Sequence, residues 1–321
     1  MDIVKSNTNI NFMGQRKLAI VISIIVVAIC LASLFTRGIN FGLDFTGGTL
    51  IEVAYPAAPE LSDVRQALSD EGFEDFVVQT FGSPREIIVR MPADQADASG
   101  ADLSEQVLSA LSAREPGIDL RRVEFVGPQV GQELAEQGGL AMIYALIGVL
   151  LYVSFRFQWR FALGAVAALV HDIVLVVGIL SLLQINFDLT VVAALLAVVG
   201  YSLNDTIVLY DRLRENFIVK RKGTPVELCN LSINQMLGRT LMTSLTTLLV
   251  LIALFYFGGE IIHAFAFTLI VGVVVGTYSS IYVAGNAAIM LGVSKQDLMP
   301  VEKEGEDQPD TEVLPERFRN G

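Results

Sequence analysis

The chain has 321 residues, of which 53% are hydrophobic and 17% are charged, and its mean hydropathy is +0.56. This balance is more apolar than that of soluble globular domains, so it favours an integral membrane protein. The formal net charge is −12, and the sequence has no basic and aromatic cluster of the kind that binds nucleic acid. The two cysteines are too far apart in the predicted topology to pair, and no cluster of metal ligands accompanies them.

Six apolar stretches are long enough to cross a bilayer, because a helix of about 20 residues spans its hydrocarbon core. The first stretch follows basic residues, as the core of a signal peptide does, but it is longer than such a core. No A-x-A cleavage site follows it, so we interpret it as an uncleaved anchor. The last stretch is long enough to be tilted or broken. The six stretches are residues 18–35, 139–155, 161–183, 189–210, 241–257 and 261–291.

Lysine and arginine are concentrated before the first span and in alternate connections, whereas the short connections 184–188 and 258–260 contain neither. By the positive-inside rule, both termini are predicted to be cytoplasmic. The outer domain, residues 37–138, is then periplasmic in a Gram-negative cell. The complete predicted order is a cytoplasmic N-terminus (1–17), a first helix (18–36), the outer domain, the rest of the bundle (139–291) with a cytoplasmic loop (211–239), and an acidic, disordered tail (292–321).

The outer domain has 18 acidic and 7 basic residues between positions 37 and 136, so it contains nearly all of the net negative charge. The periods of its hydrophobic residues predict a β-α-β-β-α-β order. This order is typical of a ferredoxin-like α+β domain, whose sheet leaves one face free to cover or bind something. The domain contains no histidine or cysteine, which favours a binding or mechanical role over catalysis. The predicted elements are strand 49–55, helix 59–71, strands 76–81 and 86–91, helix 103–113 and strand 119–126.

Ionisable side chains inside membrane spans are energetically costly, so each one is a candidate for function. Asp205 lies in the cytoplasmic half of the fourth span, next to Asn204, with Tyr201 and Ser202 one turn earlier. Because ionisation is unfavourable in an apolar environment, we hypothesise that Asp205 loads and releases protons. The alternative is a residue at a helix end that water reaches from the cytoplasm, since Asp211 and two arginines follow closely.

His171 and Asp172 lie near the middle of the third span, where short side chains cannot reach the membrane interface. Adjacent helical residues diverge by about 100°, so at most one of the two can face Asp205. The other meets a neighbouring helix or subunit, and His171 has the alternative of a neutral histidine that only packs. Arg239, just before the fifth span, is either a positive-inside anchor or a counter-charge for Asp205.

Small and hydroxyl residues are frequent in the last two spans, where Gly272 and Gly276 have a GxxxG spacing. This pattern favours close packing within the chain over a binding site. The dipeptide Tyr210-Asp211 is similar to the catalytic dipeptide of intramembrane aspartyl proteases. The second motif that such enzymes require, a GxGD-type aspartate on a neighbouring span, is absent from the sequence, so this function is disfavoured.

Three motifs together resemble the SecF protein-export membrane proteins of the SecD/SecF family, within the RND superfamily. Together with the order of the six spans they cover residues 11–291. The single modest outer domain, without a second six-span half, resembles SecF alone and not a SecDF fusion. The motifs are FGLDFTGGT at 41–49, with Gly42, Asp44, Gly47 and Gly48, then VGPQVG at 126–131, and VGYSLNDTIVLYDR at 199–212.

The resemblance implies a multi-pass protein of the bacterial inner membrane that pairs with SecD beside the SecYEG translocon, with YajC and YidC as further candidate partners. It implies that the proton-motive force helps to pull unfolded preproteins across after SecA-driven insertion. Protons are then the coupling ion, no other cofactor is expected, and the chain is not an enzyme. In this family a span-four aspartate and an arginine at the start of span five belong to the proton path, and they match Asp205 and Arg239. His171 and Asp172 match a His-Asp pair of the third span.

Two other functions are weighed against this one. An RND-type exporter of small molecules or lipids is disfavoured, because one six-span half with a compact outer domain offers no large pocket. A pure assembly factor without ion coupling is distinguished by experiment, since its activity would survive loss of the Asp205 carboxylate.

Overall fold

The computed structural model of the chain describes residues 9–92, 100–220 and 223–293. The basic residues Lys5, Arg221 and Lys222, which contribute to the predicted orientation, lie outside the described residues. The predicted disordered tail also lies outside them, apart from positions 292 and 293.

Six helices of the described chain are long and apolar enough to cross a membrane, which confirms the predicted number. The first, α1, follows a 3-10 turn at Met13–Gln15. The last, α9, continues through a π-helical stretch at Ser280–Ala284 into a short helix, α10, so the sixth span is interrupted as its length suggested. The helices are α1 (Arg16–Thr36), α5 (Pro128–Arg156), α6 (Trp159–Leu183), α7 (Leu189–Val219), α8 (Pro225–Phe257), α9 (Glu260–Ser279) and α10 (Gly285–Met290).

Two of these helices begin well before their apolar stretches. Helix α5 starts at Pro128, in the segment expected to belong to the outer domain. Proline suits the first position of a helix, and the polar residues in the first turns of α5 are compatible with helical structure. Helix α8 starts at Pro225 with a capping box between Thr224 and Glu227. Within the expected loop 211–239, residues 211–219 and 225–239 are therefore helical. Hydropathy detects only the part of a helix that lipid surrounds, and these helices extend beyond it.

The outer domain has the predicted β-α-β-β-α-β order, with all strand pairs antiparallel and the sheet order β2-β3-β1-β4. This arrangement confirms the ferredoxin-like prediction. Strand β1 is central and pairs with both β3 and β4. The elements are β1 (Gly48–Ala54), α3 (Leu61–Asp70), β2 (Val77–Phe81), β3 (Ser83–Met91), α4 (Gly100–Arg114) and β4 (Asp119–Val126), preceded by a single turn of helix, α2 (Leu43–Thr46).

Alternate residues of the sheet pack under α3 and α4, as the period of two in a strand requires. Ile51, Val53, Ile87 and Val89 are fully buried there with apolar residues of both helices. The opposite face presents Leu50 and Ile88, which pack against Leu43 of α2, together with charged residues. That face lies towards the loop before α7, with a cavity of about 370 Å³ between them.

Close packing in the bundle depends on glycines at the helix crossings. A Cβ on Gly178 of α6 would overlap Cys30 of α1, and a Cβ on Gly272 of α9 would overlap Val198 of α7. A Cβ on Gly276 would lie 3.0 Å from the Cβ of Ser202. The GxxxG spacing therefore serves packing within the chain, which is the reading that the sequence favoured.

Replacing Gly178 by leucine is expected to separate α1 from α6, because the added atoms occupy the space of Cys30. Overpacking of this kind costs about 1–3 kcal/mol. Thermal unfolding of the purified full chain in mild detergent measures the loss. Gly148→Leu is the matched control, since a Cβ on Gly148 meets no atom within 4 Å. Equal melting temperatures for the two variants would contradict this packing.

Candidate functional site

A polar cluster lies inside the apolar bundle where α6, α7, α8 and α9 meet. Asp205 of α7 lies in this part of the bundle and is 3% exposed. One of its carboxylate oxygens, Oδ2, is buried and accepts no hydrogen bond from the described residues. Ionising a buried carboxyl group that lacks hydrogen-bond donors costs free energy, so burial favours the protonated form of this group.

Arg239 of α8 supplies a positive charge to this carboxyl group, and its electrostatic field stabilises the ionised form. Arg239 is itself exposed, and lies fifteen positions into α8 because that helix begins early. It lines a cavity of about 260 Å³ at the end of the bundle far from the outer domain, together with Asp211, Arg212 and Glu215. Val208, one helical turn from Asp205, lines the same cavity. Water that enters the cavity from this end therefore comes within about one helical turn of Asp205 along α7.

His171 and Asp172 diverge as adjacent helical residues must. Asp172, 1% exposed, accepts a hydrogen bond from the Ser202 hydroxyl of α7 and contacts His171 Nδ1 at 3.0 Å. His171 lies against the ring of Tyr278, with centroids 6.3 Å apart. Its Nε2 atom has no hydrogen-bond partner among the described residues. The pair thus connects α6 to α7 and to α9, and its partner Ser202 lies three residues before Asp205 on α7.

The remaining polar residues of the span-four motif separate into two groups. Tyr201 donates to Ser244 of α8 at 3.2 Å, and Ser244 shares a hydrogen bond with Thr277 at 2.8 Å. Asn204 is exposed, on a different side of α7 from the buried Asp205. Adjacency in sequence placed Asn204 beside Asp205, but a rotation of about 100° per residue directs the two side chains apart.

The Tyr210-Asp211 pair has structural partners only. The Tyr210 hydroxyl is buried and donates to the Ala284 carbonyl at 3.1 Å, under the rings of Phe157 and Phe161. Asp211 forms an ion pair with Arg156 at 2.9 Å. Neither residue faces a second carboxylate in these contacts, so nothing in them supports a protease.

Removal of the Ser202 hydroxyl is expected to leave the buried Asp172 carboxylate oxygen without its donor. Loss of a hydrogen bond to a charged group costs about 1.5–3 kcal/mol, which Ser202→Ala should show in thermal unfolding. Ser279→Ala is the matched control, because the Ser279 hydroxyl donates a long 3.4 Å bond to the Ala168 carbonyl. If both variants lost the same stability, the Ser202–Asp172 contact would not hold the helices together.

The sequence did not reveal a second polar region, at the outer ends of the helices. There the open sheet face meets the loop before α7 across the 370 Å³ cavity, which is lined by Arg90, Arg122, Asp44 and Asp188 among others. Burial lowers the pKa of Arg90, and the carboxylate of Asp188 opposes that shift. Besides Asp44 of the glycine motif, the available signal was Asp188, an aspartate directly before an apolar run, which is typical of a helix N-cap.

The structure brings the first two family motifs together at this place. Asp44 Oδ2 accepts the backbone N–H of Leu189, and a Cβ on Gly131 would lie 3.0 Å from the Gly47 nitrogen. Gly42 and Gly47 lie in the segment between α1 and β1, and Gly48 is the first residue of β1. Among the described residues, no group of three or more His, Cys, Asp or Glu side chains could hold a metal ion.

Comparison with known proteins gives consistent matches over most of the chain. The family model "Protein export membrane protein SecD/SecF, C-terminal" matches residues 106–294, and "SecD/SecF GG Motif" matches residues 32–55. The protein translocase subunit SecF of Pseudomonas aeruginosa is 54% identical over 293 residues, which are 91% of this chain and 94% of that protein. SecF of Escherichia coli O157:H7 is 46% identical over 308 residues, 95% of each chain.

The fold is also similar to that of a solved structure. The crystal structure of SecDF from Thermus thermophilus, described as a translocon-associated membrane protein, superposes with a TM-score of 0.81 at 38% identity. The match covers 90% of this chain and 39% of that one. A second crystal structure of SecDF, in a "Super-membrane-facing form", has a TM-score of 0.66. The chain therefore superposes less closely on this second structure than on the first.

Proposed function

The chain belongs to the SecF family of the SecD/SecF protein-export membrane proteins, and from that premise we propose that it uses the proton-motive force, together with SecD, to drive a late stage of preprotein translocation. It is a multi-pass inner-membrane protein and an accessory subunit of the Sec translocase. Its role is conformational and not enzymatic, and protons are its coupling ion.

The single observation that carries the coupling proposal is the environment of Asp205. Its carboxyl group is buried, one oxygen lacks a partner, and its counter-charge, Arg239, is on a different helix that faces a water-accessible cavity. Protonation removes the attraction between α7 and α8, and deprotonation restores it. The two charge states therefore favour different positions of these helices.

A membrane potential supplies enough free energy for such a cycle. Moving one charge across 100 mV is worth about 2.3 kcal/mol, which biases a two-state equilibrium about fiftyfold. The side from which water can reach Asp205 sets the direction of the cycle.

An apolar layer of five residues, each at most 2% exposed, separates Asp205 from the outer cavity, whereas the opposite cavity lies one helical turn away. This conformation is thus accessible from the far end of the bundle, and proton entry from the outside requires the layer to open. The layer consists of Val176, Leu180, Val191, Leu195 and Val198.

We assign the far end of the bundle to the cytoplasm and the outer domain to the periplasm, so both termini are cytoplasmic. The Lys/Arg distribution supports this orientation. Protons then enter from the periplasm and leave through the cavity beside Arg239.

The exposed face of α7 supports a partner in the membrane. It presents Ala193, Ala197, Gly200 and Asn204, at helical spacing, and a Cβ on Gly200 would meet no atom of the described residues within 4 Å. Small residues allow close approach of another helix, and an amide in lipid needs a hydrogen-bond partner. SecD fits this surface. The SecYEG translocon, YajC, YidC and unfolded preproteins are further proposed partners, and the exporter alternative has no comparable support.

The proposal is tested with arrested translocation intermediates in proteoliposomes that contain the translocon and the complex of this chain with SecD. After ATP is removed, an imposed proton gradient is expected to complete translocation, and an uncoupler should stop it. Vesicles without the complex are the control. If the gradient had no effect beyond that control, the chain would be an assembly factor.

A further inference from the structure

Four parts of the chain meet in one small region at the outer surface of the bundle. They are the exit of α1, the start of the sheet at β1, the start of α5 and the loop before α7. The segment 40–48 links α1 to β1 and contacts both the start of α5 and the loop before α7. It overlaps the residues matched by the GG motif model, and the contacts below give that segment a physical role.

Backbone hydrogen bonds join this segment to the loop before α7. The Phe187 N–H donates to the Asn40 carbonyl at 2.8 Å, and the Gly42 N–H donates to the Phe187 carbonyl at 2.7 Å. These bonds form an isolated parallel β-bridge between Phe41 and Phe187. The rings of Phe41, Phe45 and Phe187 pack on one another, with all three centroid distances 6.0 Å.

Two aspartates complete the first turn of α7. Asp188 accepts the N–H of Val191 at 2.9 Å, as an N-cap residue does. Asp44 accepts the N–H of Leu189 at 2.9 Å, although it is 145 residues away in sequence. The first N–H groups of a helix have no partner within it, so Asp44 supplies one from the neighbouring segment.

Glycines make the contacts possible because any side chain would separate the backbones. A Cβ on Gly42 would lie 3.1 Å from the Cβ of Asp188, and one on Gly47 would lie 3.1 Å from the Cα of Pro128 at the start of α5. Gly47 also has φ of +67°, which disfavours other residues. The segment is therefore held on both sides by backbone contact, and it leads without a linker into central strand β1 at Gly48.

We propose that residues 40–48 form a rigid joint that makes the outer domain and the outer end of α7 move as one body, with Asp44 as a positioning residue of the joint. The functional consequence rests on the proposed function, because α7 is the helix that contains Asp205. A shift of α7 on protonation then displaces β1, and with it the sheet. Without the joint, Asp205 would still exchange protons, but the outer domain would not follow.

The joint is tested first by distance measurements on the full chain in nanodiscs. Spin labels are attached to cysteines introduced at Ser109 of α4 and Ala193 of α7, both exposed, whereas native Cys30 and Cys229 are buried. One narrow distance distribution is expected. Asp44→Ala should broaden it, and Asp44→Asn should restore it in part, since the amide oxygen still accepts the Leu189 N–H. Glu105→Gln, an exposed outer-domain position, should change nothing.

A distribution as narrow in Asp44→Ala as in the unchanged chain would overturn the proposal. If Asp44→Ala does not fold, Phe41→Leu decides in the same way, because it removes one ring of the aromatic contact and keeps an apolar side chain. In the complex with SecD, Asp44→Ala is expected to retain proton uptake while proton-driven translocation falls at least tenfold, whereas an unfolded chain would lose both. If the unchanged complex shows no proton-driven translocation, the proposed function fails and the label distances still decide the joint.

Discussion

Asp205→Asn is expected to abolish proton-driven translocation and to leave ATP-driven insertion intact. Asparagine keeps the size of the side chain, but it cannot bind and release a proton, so α7 and α8 stay in the arrangement of the neutral form. The measurement is completion of arrested intermediates under an imposed proton gradient, and the expected rate is that of vesicles without the complex.

Asp63→Asn is the matched control for this experiment, since it makes the same chemical change at an exposed position of α3. It should translocate at the unchanged rate. Asp205→Asn with normal dependence on the gradient would show that this carboxyl group does not couple protons to movement.

Arg239→Gln is expected to slow proton-driven translocation by about tenfold or more. The substitution removes the cation that stabilises the ionised Asp205 carboxylate, so release of the proton becomes less favourable. A loss of about 1.4 kcal/mol in that step corresponds to a factor of ten in rate. Arg239→Lys keeps the charge and should retain a substantial part of the activity.

The positive-inside alternative for Arg239 makes a different prediction. If Arg239 only anchors the helix, Arg214→Gln, which removes another exposed positive charge at the same end of the bundle, should have an equal effect. Cysteine accessibility from either side of the membrane checks that both variants keep the same topology. Equal rates for the two variants would contradict the counter-charge role.

The spans and the outer domain could be predicted because both depend on local periodicity. Apolar length defines a span whatever surrounds it, and the alternation through β1 and β3 records which residues face the helices. The start of α5 at Pro128 and the helical course of residues 211–219 could not be predicted in this way. Hydropathy does not detect the polar parts of a helix. There, helix formation depends on the residues at the helix start and on contacts such as the Arg212–Glu215 ion pair at 2.5 Å.

The candidate site could be predicted only as separate residues. The cost of an ionisable group in lipid identified Asp205 and Asp172, since their depth in a span can be read from the sequence alone. The bond between Ser202 and Asp172 joins residues 30 positions apart on different helices, and no sequence period indicates it. Asn204 shows the limit of a sequence motif, because a motif groups neighbouring residues that a helix then points in different directions.

The glycine motif is the clearest case of a pattern whose cause lies in tertiary contact. The sequence showed FGLDFTGGT as a match to a family, but not that Gly47 lies against Gly131 or that Asp44 binds the first turn of α7. These partners are about 80 and 145 residues away. The motif needs glycines because its backbone lies at contact distance from other backbone on two sides, and this proximity exists only in the folded chain.

The most direct test of the account is the movement of the outer domain when protons are supplied. In the reconstituted complex, spin labels at Ser109 of α4 and Leu249 of α8, both exposed, report the position of the outer domain relative to a helix outside the joint. An imposed proton gradient is expected to shift this distance in the unchanged chain and to leave it fixed in Asp205→Asn. The same shift in Asp205→Asn, or none in the unchanged chain, would contradict coupling through Asp205.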